Sequence, residues 1–469
     1  MDVFGPDDLR THGRDVIDWL AGYLERVPSL PVRSPLAPGA ILERIGPQAP
    51  EEGEALTALV ADLEDVVLPG VTHWQSPGWL AYFPANSTVP SVLADLAAAG
   101  LGQQGMLWAT SPACTEIEMA MMNWLVTLLG LPAAFRMDGP GGGVIQMTAS
   151  DATHLALVVA RNRARAHGPI ESMVVYASGQ AHSSIEKGAR IAGFEHVVSL
   201  PVDDTFALRP DALARAIAAD RAAGRVPAFV NTTVGTTGTT AIDPVRAVGE
   251  IARAEGIWHH VDAAYAGTAM ICPELRPLQD GLELCDSYVF NPHKWMGVGF
   301  DCSCFFVADR KPLLESMSIS PPYLRADATE AREVVDYRDW QLALGRRFRA
   351  LKLWFVLRAY GAEGLRTEMR RHLALAADFA AWVDGRPDLE RIAPVPLALV
   401  CFRHRGGDAP TEGLAQTIND GGALYITLSS TPEVGAFIRV SIGHFRTEAH
   451  HLDRLKATID AFTTPSPNR

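Results

Sequence analysis

The chain has 469 residues, a formal net charge of −13 at pH 7 and a pI near 5.5. This acidic balance argues against binding to nucleic acid or to an anionic membrane surface, because both require basic patches. Residues 1–10 lack the apolar core of a signal peptide, no apolar run reaches the ~18 residues of a membrane helix, and the six cysteines show no CxxC spacing. We therefore expect a cytoplasmic protein of two or three domains without disulfides or a metal site.

The N-terminal part of the chain is predicted to be mainly helical. Apolar residues recur at helical spacing in residues 7–26, four prolines occupy the connector 28–38, and a second helix is expected at 54–68. Residues 72–84 are rich in aromatics and prolines, which is typical either of a core loop or of the wall of an apolar pocket. A further helix is predicted at 113–129 after a Ser-Pro start signal.

Strands and helices alternate from about residue 140 to residue 310. The predicted strands are 144–147, 173–176, 228–233, 258–261, 288–290 and 304–307. This alternation indicates an α/β fold with a mainly parallel sheet covered on both faces. After a long helix at 346–360, residues 361–469 combine two helices with strand candidates at 397–402, 423–427 and 437–442, which is the pattern of a smaller α+β domain.

Lys294 is the leading candidate for a reactive residue. It is one of only five lysines, and the sequence NPHKW at 291–295 places it in a loop directly after a short apolar strand. That edge of an α/β sheet is where ligands bind. The functional interpretation is a lysine that holds pyridoxal phosphate (PLP) as a Schiff base, and the alternative on these residues alone is an exposed surface lysine.

Asp262, in the sequence WHHVDAAYAG at 258–267, is the second candidate. It ends a predicted strand, and the small residues after it would let a flat ring lie close to the backbone. A pyridinium cofactor needs one carboxylate at its ring nitrogen, whereas a lone buried aspartate is more often a turn cap. Lys294 follows 32 residues later (294 minus 262), about one helix-plus-strand unit, so both side chains can come from neighbouring strand ends.

A phosphate site is predicted where Thr148, Ala149 and Ser150 begin a helix. Free backbone N–H groups and the helix dipole favour an anion there, although an ordinary N-cap is the alternative. The glycines at 139–143 precede a strand instead of following it, and no GxGxxG is present, which disfavours a nucleotide site. His182 also follows a predicted strand and is either a ring-stacking residue or a structural histidine.

Eight motifs together resemble the PLP-dependent group II decarboxylases, specifically the aromatic-L-amino-acid decarboxylases. They occur in the family's order: SPACTE at 111–116, GGGVIQ at 141–146, QAHSS at 180–184, GTT at 235–237, HVDAAYAG at 260–267, NPHKW at 291–295, FDCS at 300–303 and LGRRFR at 344–349. The resemblance extends from about residue 70 to residue 405.

The resemblance implies a fold-type I homodimer with its active sites at the subunit interface. It implies an N-terminal helical arm at 1–88 that is exchanged between subunits and forms part of the pocket wall. A large PLP-binding domain at 89–360 would contain a mainly parallel seven-stranded sheet, and a small α+β C-terminal domain would occupy 361–469. Within the large domain, a mobile catalytic loop is expected at about 318–337.

The resemblance also implies roles for individual residues. Lys294 would be the Schiff-base lysine, Asp262 the partner of the pyridine nitrogen, His182 the imidazole stacked on the ring and Ala264 the residue on the ring's other face. The phosphate and the polar edge of the ring would be bound by Ala149, Ser150, Thr237, Asn291 and His293.

The expected reaction is decarboxylation of an aromatic L-amino acid to the arylalkylamine and CO2. Tyr323, in the segment SPPYLR at 320–325, matches the catalytic tyrosine and would deliver a proton to Cα, alone or with His182. Related aldehyde-forming enzymes carry Phe in place of that tyrosine or Asn in place of the histidine, and this chain keeps both. The alternatives are an aldehyde synthase, a decarboxylase of another amino acid, a catalytically silent homologue and a nucleotide-binding oxidoreductase.

The substrate pocket is expected to be aromatic. The resemblance assigns it Trp74, Tyr82, Phe83, Pro84, Ala85, Met106, His182 and Gly345. Gly345 leaves space where phenol-preferring plant relatives often carry Ser, which favours indoles. Ala85 and Met106 replace the Thr and Phe common in animal relatives, so the choice among tryptophan, tyrosine, phenylalanine and dihydroxyphenylalanine stays open.

Overall fold

The computed structural model describes residues 4–319 and 334–463. The chain divides into two units, one formed by the residues up to Pro84 together with those from Arg403 onward, and the other by Ala85–Phe402. Tyr323 and most of the predicted catalytic loop lie outside the described residues.

A seven-stranded sheet is the centre of the second unit. Its strands are β1 (Gly142–Gln146), β2 (Met173–Ser178), β3 (His196–Leu200), β4 (Val226–Thr233), β5 (Trp258–Asp262), β6 (Ser287–Phe290) and β7 (Ser303–Val307). The spatial order is β1-β7-β6-β5-β4-β2-β3. All neighbours pair in parallel except the two pairs that involve β7, which is antiparallel to both β1 and β6. The predicted mainly parallel seven-stranded sheet is confirmed.

Most strands of this sheet are buried on both faces, including the edge strand β1. Every residue of β1, β2, β5, β6 and β7 is buried, whereas the edge strand β3 is only half-buried. Because successive side chains of a strand point to opposite faces, unbroken burial means that both faces are covered.

Helices of the second unit cover the sheet. They are α4 (Val89–Leu101), α5 (Pro112–Leu129), α6 (Ala149–Ala164), α7 (Ser184–Ile191), α8 (Pro210–Ala222), α9 (Val245–Glu255), α10 (Pro292–Trp295), α11 (Lys311–Met317) and α12 (Arg349–Asp384). One core cluster joins β2 and β4 to α8 and α9 through Tyr176, Val230, Leu213 and Val248, all of them buried. The segment α12 is broken at Gly361, whose φ of +64° is accessible to glycine. Strand β8 (Leu389–Arg391) follows α12, and β9 (Leu399–His404) leads the chain out of this unit.

The first unit combines helices from both ends of the chain. It contains α1 (Pro6–Arg26), α2 (Ala40–Ile45), α3 (Leu56–Asp62), α13 (Asp408–Asp420) and α14 (Ala449–Thr463), together with the antiparallel strands β10 (Thr427–Thr431) and β11 (Gly435–Ser441). Tyr23 and Val27 pack against Leu68, and Arg26 makes two hydrogen bonds to Glu64, of 2.8 and 2.9 Å. The N-terminal helices therefore bury part of their apolar surface against one another.

Some boundaries differ from the sequence predictions for local reasons. The helix expected at 54–68 is regular only over Leu56–Asp62, and the chain then forms a wider helical turn at Leu63–Val67 and a 3-10 turn at Leu68–Gly70. The strand expected at 423–427 lies at Thr427–Thr431, because Tyr425 forms an isolated bridge with Trp79 instead. Strand β3 was not predicted, since its half-buried edge position weakens the apolar pattern.

Within the described ranges, none of the helices is both long enough and apolar enough to cross a membrane.

Candidate functional site

Five strands of the second unit direct their C-terminal ends to the same edge of the sheet. Because β7 is antiparallel to both of its neighbours, β1 runs in the same direction as β2, β4, β5 and β6. Thr148 follows β1, His182 follows β2, Thr237 follows β4, Asp262 ends β5 and Lys294 follows β6. The prediction that Asp262 and Lys294 come from neighbouring strand ends agrees with the sheet topology, because β5 and β6 pair directly.

The segments after β5 and β6 are joined by backbone hydrogen bonds. The Ala263 N–H donates to the Val289 carbonyl at 2.9 Å, and the Asn291 N–H donates to the Ala264 carbonyl at 3.0 Å. The buried Asp262 accepts a hydrogen bond at Oδ1 from the Ala264 N–H, at 2.9 Å. The carboxylate is therefore held by its own turn, which leaves Oδ2 available to a ligand.

Lys294 lies on α10, a single helical turn, and not in a loop as predicted. The preceding residue is fixed to the start of β7, because Nδ1 of His293 accepts a hydrogen bond from the Cys302 N–H at 2.9 Å. Burial, with a further contribution from the Lys294 charge, lowers the pKa of His293 to about 3, so its ring stays neutral. The Phe300 ring lies 4.8 Å from the His293 ring, centroid to centroid.

His182 interacts electrostatically with both Asp262 and Lys294. Its Nδ1 accepts a hydrogen bond from the Ser184 N–H at 3.1 Å and lies 2.9 Å from Ser184 Oγ. Burial of part of the ring lowers the pKa of His182, the Asp262 charge opposes this shift, and the Lys294 charge adds to it. Because Nδ1 is an acceptor, the neutral ring carries its proton on Nε2. The His182 ring is therefore close enough to Asp262 and Lys294 to be affected by both charges.

The N-terminus of α6 is a capped helix start with free donors. Thr148 is the N-cap, and its hydroxyl accepts from the Asp151 N–H while Asp151 Oδ2 accepts from the Thr148 N–H. The cap satisfies the third amide of the helix, so the N–H groups of Ala149 and Ser150 remain available for an anion. Ser150 is exposed, as is Thr237. The ordinary N-cap and the phosphate site are therefore compatible, and the sequence alternatives do not exclude each other.

One buried polar atom at this edge lacks a partner in the described part of the chain. Asn291 is 3% exposed, and its Oδ1 makes no hydrogen bond there. A buried amide oxygen without a donor is costly, which is consistent with a ligand supplying the donor. PLP requires an amine, a carboxylate, an imidazole, an amide oxygen and an anion-binding helix end. The residues present supply these groups and therefore fit this cofactor.

Aromatic rings of the predicted substrate wall cluster within the first unit. We call Trp74, Trp79, Tyr82 and Tyr425 the aromatic cluster. Trp74 stacks on Trp79 with ring centroids 4.0 Å apart, and Tyr82 lies 5.9 Å from Trp74 and 6.0 Å from Trp79. Tyr425 lies 5.2 Å from Trp79. Trp74 is 37% exposed and Tyr82 is 50% exposed, so the cluster presents apolar ring surface to its surroundings.

The backbone at Tyr82 is strained. Its φ of +50° is uncommon for a bulky residue. The conformation is held by a hydrogen bond of 2.7 Å from the Tyr82 N–H to Thr427 Oγ1. Phe83 is buried next to it, with the Arg439 guanidinium 5.3 Å above the ring centroid, and Pro84 is buried as well.

The remaining predicted pocket residues lie elsewhere in the second unit. Ala85 and Met106 are half-buried, and the Met106 carbonyl accepts from the Arg338 N–H at 3.0 Å. Gly345 lines a cavity of about 440 Å³ whose lining includes neither Lys294 nor Asp262. A Cβ atom at Gly345 would lie 3.5 Å from the Gln104 amide nitrogen, so the position has room for a side chain.

Sequence reasoning missed a buried chain of rings behind Lys294. Trp295 stacks on Tyr265 with centroids 4.7 Å apart and an interplanar angle of 8°, and its indole N–H donates to His372 Nδ1 at 2.9 Å. His372 is 77 residues further along the chain. Nothing in the sequence around a single histidine in a helix indicates such a contact.

The fold and this site define a PLP-dependent enzyme of fold type I. The chain belongs to the pyridoxal-dependent decarboxylase family, whose conserved-domain model matches residues 38–405. It is a PLP-dependent carboxy-lyase of the aromatic-amino-acid decarboxylase group, as the sequence resemblance predicted.

Known proteins match along almost the whole chain. The aromatic-L-amino-acid decarboxylase of Bos taurus is 42% identical over 471 residues, which cover 96% of this chain and 96% of the bovine protein. The phenylacetaldehyde synthase of Arabidopsis thaliana is 42% identical over 461 residues, covering 95% and 94%. The crystal structure of Oryza sativa TDC with PLP and tryptamine superposes with a TM-score of 0.96 at 36% identity, covering 99% of this chain and all of that one.

Proposed function

We propose that this enzyme converts tryptophan, dihydroxyphenylalanine, tyrosine or phenylalanine to the corresponding arylalkylamine and CO2. The observation that supports the proposal most is the grouping of His182, Asp262 and Lys294, because His182 interacts with both charged groups. A further support is the exposed ring surface of the aromatic cluster, which suits a flat apolar substrate side chain.

Lys294 and Asp262 have complementary roles in this proposal. Bound PLP supplies an electron sink for the pair released when the bond to the α-carboxylate breaks. Lys294 holds the cofactor through its amine. Asp262 is 5% exposed, and its buried carboxylate stabilises positive charge on a pyridine nitrogen more strongly than it would in water. The Asn291 amide oxygen and the N–H groups of Ala149 and Ser150 would bind polar groups of the cofactor.

His182 and Tyr323 are the proposed proton-handling residues. The neutral His182 carries its proton on Nε2, so this nitrogen can donate to the substrate or pack against the cofactor ring. Tyr323, which lies outside the described residues, is proposed as the acid that returns a proton to Cα. The other cofactor-side residues in the proposal are Thr237, Ala264 and His293.

The proposed residues on the substrate side are Trp74, Tyr82, Phe83, Pro84, Ala85, Met106 and Gly345. The cavity that Gly345 lines does not include Lys294 of the same chain. We therefore propose that Gly345 serves the active site of a second subunit, which requires a homodimer with active sites at the interface. The three-domain division at residues 88 and 360 is part of the same proposal.

Helix α4 supports the dimer. Its exposed large apolar residues are Val89, Val92, Leu93, Leu96 and Leu101. Several of them recur at helical spacing and form an apolar stripe, whose exposure to water is unfavourable. A second copy of this chain would cover the stripe.

The dimer is tested by the variant Leu96→Glu, which places a charge in the middle of the stripe. Sedimentation analysis should give a dimer for the wild type and a smaller species for the variant. Gln103→Glu adds the same charge at an exposed polar position beyond α4 and should stay dimeric. A monomeric wild type would refute the dimer.

The reaction is tested with L-tryptophan, L-dihydroxyphenylalanine, L-tyrosine, L-phenylalanine and L-glutamate. The purified protein should be yellow and should release amine and CO2 in equal amounts from at least one aromatic substrate and none from glutamate. Lys294→Ala should lose both the colour and the activity. Aldehyde and hydrogen peroxide formed in step with substrate loss would instead indicate an aldehyde synthase, the activity named for the Arabidopsis relative.

A further inference from the structure

Lys294 is carried by an element too short to fix its own orientation. Helix α10 has four residues, and one helical turn is not stable in isolation. The direction of the Lys294 side chain therefore depends on what holds its two neighbours. His293 is held by the Cys302 N–H, as described above, and Trp295 is held by buried rings.

Trp295 links the segment that carries Lys294 to the segment that carries Asp262. The indole is completely buried and lies nearly parallel to the Tyr265 ring, 4.7 Å away. Tyr265 follows Asp262 by three residues on the same turn. A shift of the indole along Tyr265 would move Lys294 relative to the Asp262 carboxylate.

Ring stacking alone does not prevent such a shift, because offset stacks tolerate sliding and in-plane rotation. The hydrogen bond from Trp295 Nε1 to His372 Nδ1 fixes the orientation of the indole within the plane of the stack. An indole N–H can only donate, so Nδ1 of His372 must be unprotonated and the neutral ring must carry its proton on Nε2.

Nε2 of His372 lies between a carboxylate and a guanidinium. His372 is fully buried on α12, and its Nε2 lies 3.1 Å from Glu368 Oε1 and 3.3 Å from Arg371 Nη2. Because Nδ1 accepts from the indole, the proton on Nε2 is directed to the Glu368 carboxylate. Arg371 Nε donates to the other carboxylate oxygen of Glu368 at 3.0 Å. Burial by itself would raise the pKa of Glu368, but the hydrogen bonds from His372 and Arg371 lower it to about 2, so this acceptor stays ionised.

We propose that His372 is a positioning residue for the decarboxylase reaction. It acts through Trp295 and keeps the Lys294 amine in place relative to the Asp262 carboxylate, so that Lys294 would be positioned to hold the cofactor. The inference rests on the proposed role of Lys294 as the residue that holds PLP.

The test compares two substitutions that differ in one acceptor. His372→Asn places an amide oxygen close to the position of Nδ1 and can still accept from the indole, whereas His372→Leu cannot. We expect His372→Leu to weaken PLP binding to the apoprotein about 10-fold, in line with one unsatisfied buried donor. It should also shift the pH midpoint of the visible band of the bound cofactor. His372→Asn should restore both quantities to near the wild-type values.

A purely structural role predicts a different result. In that case both variants would lower the melting temperature of the apoprotein, while PLP affinity and the pH midpoint would stay as in the wild type. Wild-type cofactor affinity and band titration in His372→Leu, or a His372→Asn variant as impaired as His372→Leu, would overturn the proposal.

A second variant keeps the proposal testable if His372→Leu does not fold. Trp295→Phe retains a ring on Tyr265 but removes the N–H, so it should reproduce the loss of PLP affinity. The double variant Trp295→Phe/His372→Leu should be no worse than either single variant, because both remove the same hydrogen bond. Additive losses would contradict the inference, whereas a Lys294→Ala protein that keeps its visible band would contradict the proposed role of Lys294 instead.

Discussion

The two groups of aromatic rings in this protein are built in opposite ways. Tyr265, Trp295 and His372 are fully buried, and the indole N–H and the imidazole are joined by directed hydrogen bonds. In the aromatic cluster of the first unit, Trp74 and Tyr82 are partly exposed and contact the other rings face to face. The hydrogen bonds fix one arrangement of the buried rings, whereas the stacked and partly exposed rings of the aromatic cluster can adopt several.

With the proposed roles of the two regions, this difference separates two demands of the reaction. Cofactor chemistry requires a fixed relation between an amine and a carboxylate, which buried hydrogen bonds can maintain. Recognition of different aromatic side chains requires apolar surface that tolerates variation, which half-exposed rings provide. We expect substitutions in the buried region to change cofactor binding and turnover, and substitutions in the aromatic cluster to change substrate affinity.

Acid should affect the buried region most. Burial lowers the pKa values of His259, His260 and His293 to about 3, so these rings stay neutral in the folded protein while the unfolded chain protonates them below pH 6.5. Burial also raises the pKa of Asp243 to about 7, which lets the folded protein take up one proton and opposes the trend. The unfolded state therefore binds more protons, and stability falls as pH decreases from about 6.5 towards 3.

Counted over these three histidines and Asp243 alone, the net difference near pH 5 is about two protons, which contributes a slope of about 3 kcal/mol per pH unit. Urea midpoints of the apoprotein between pH 7 and pH 5, together with proton uptake on unfolding in weak buffer, measure it. A midpoint independent of pH over this range would show that the buried histidines are protonated in the folded protein.

Asp262→Asn should reduce kcat by about 10²- to 10³-fold, which is typical of removing one preorganised electrostatic group from a buried site. The amide keeps the size of the side chain and removes the charge. Steady-state rates with an aromatic substrate measure the effect. Asp204→Asn, at an exposed position of the same unit, is the control and should retain wild-type rates. A loss below 10-fold would remove Asp262 from its proposed role.

Trp74→Ala should raise KM for the preferred substrate about 5- to 10-fold, which corresponds to roughly 1 kcal/mol from one aromatic contact. The visible band and kcat should change little, because the role proposed for Trp74 is contact with the substrate ring and not with the cofactor. Trp124→Ala removes another exposed tryptophan, on α5, and serves as the control. If Trp74→Ala lowered PLP affinity and left KM unchanged, the separation of roles between the two regions would fail.

Ser150→Ala should have the smallest effect. Loss of one hydroxyl contact should weaken PLP binding about 3-fold, since the N–H groups of Ala149 and Ser150 remain. Equilibrium titration of the apoprotein with PLP measures this change, with Ser430→Ala as an exposed control from the first unit. Equal affinity in the wild type and Ser150→Ala would limit the anion site to backbone donors.

The sheet and its chemical edge could be predicted from the sequence because their signals are local. Asp262 comes directly after the predicted strand 258–261, and Lys294 comes four residues after the short apolar strand that ends at Phe290. The signal for the helix start at Thr148 is equally local, because Thr148 and its hydrogen-bond partner Asp151 are three positions apart. Periodicity and spacing therefore predict the positions of Asp262 and Lys294 after strands and of Ser150 at a helix start, while the roles of all three stay predictions.

Other features depend on contacts between distant parts of the chain. The partner of Trp295 lies on α12, and a lone histidine in an amphipathic helix has no distinguishing pattern. Strand β10 alternates between half-buried and exposed residues, so its apolar signal is weaker than that of the preceding segment around Tyr425, which was predicted in its place. The position of Gly345 relative to a substrate involves a proposed second subunit and cannot follow from local pattern.

The reversed direction of β7 has a further consequence for Lys294. Parallel strands must be joined by a crossover of a dozen or more residues, whereas antiparallel neighbours can be joined directly. Because β7 returns beside β6, only residues 296–302 separate α10 from the next strand. Short closed segments have few conformations to lose, so the lysine is placed in a tight return of the chain. The change of strand direction at β7 thus shortens the segment of chain that holds Lys294.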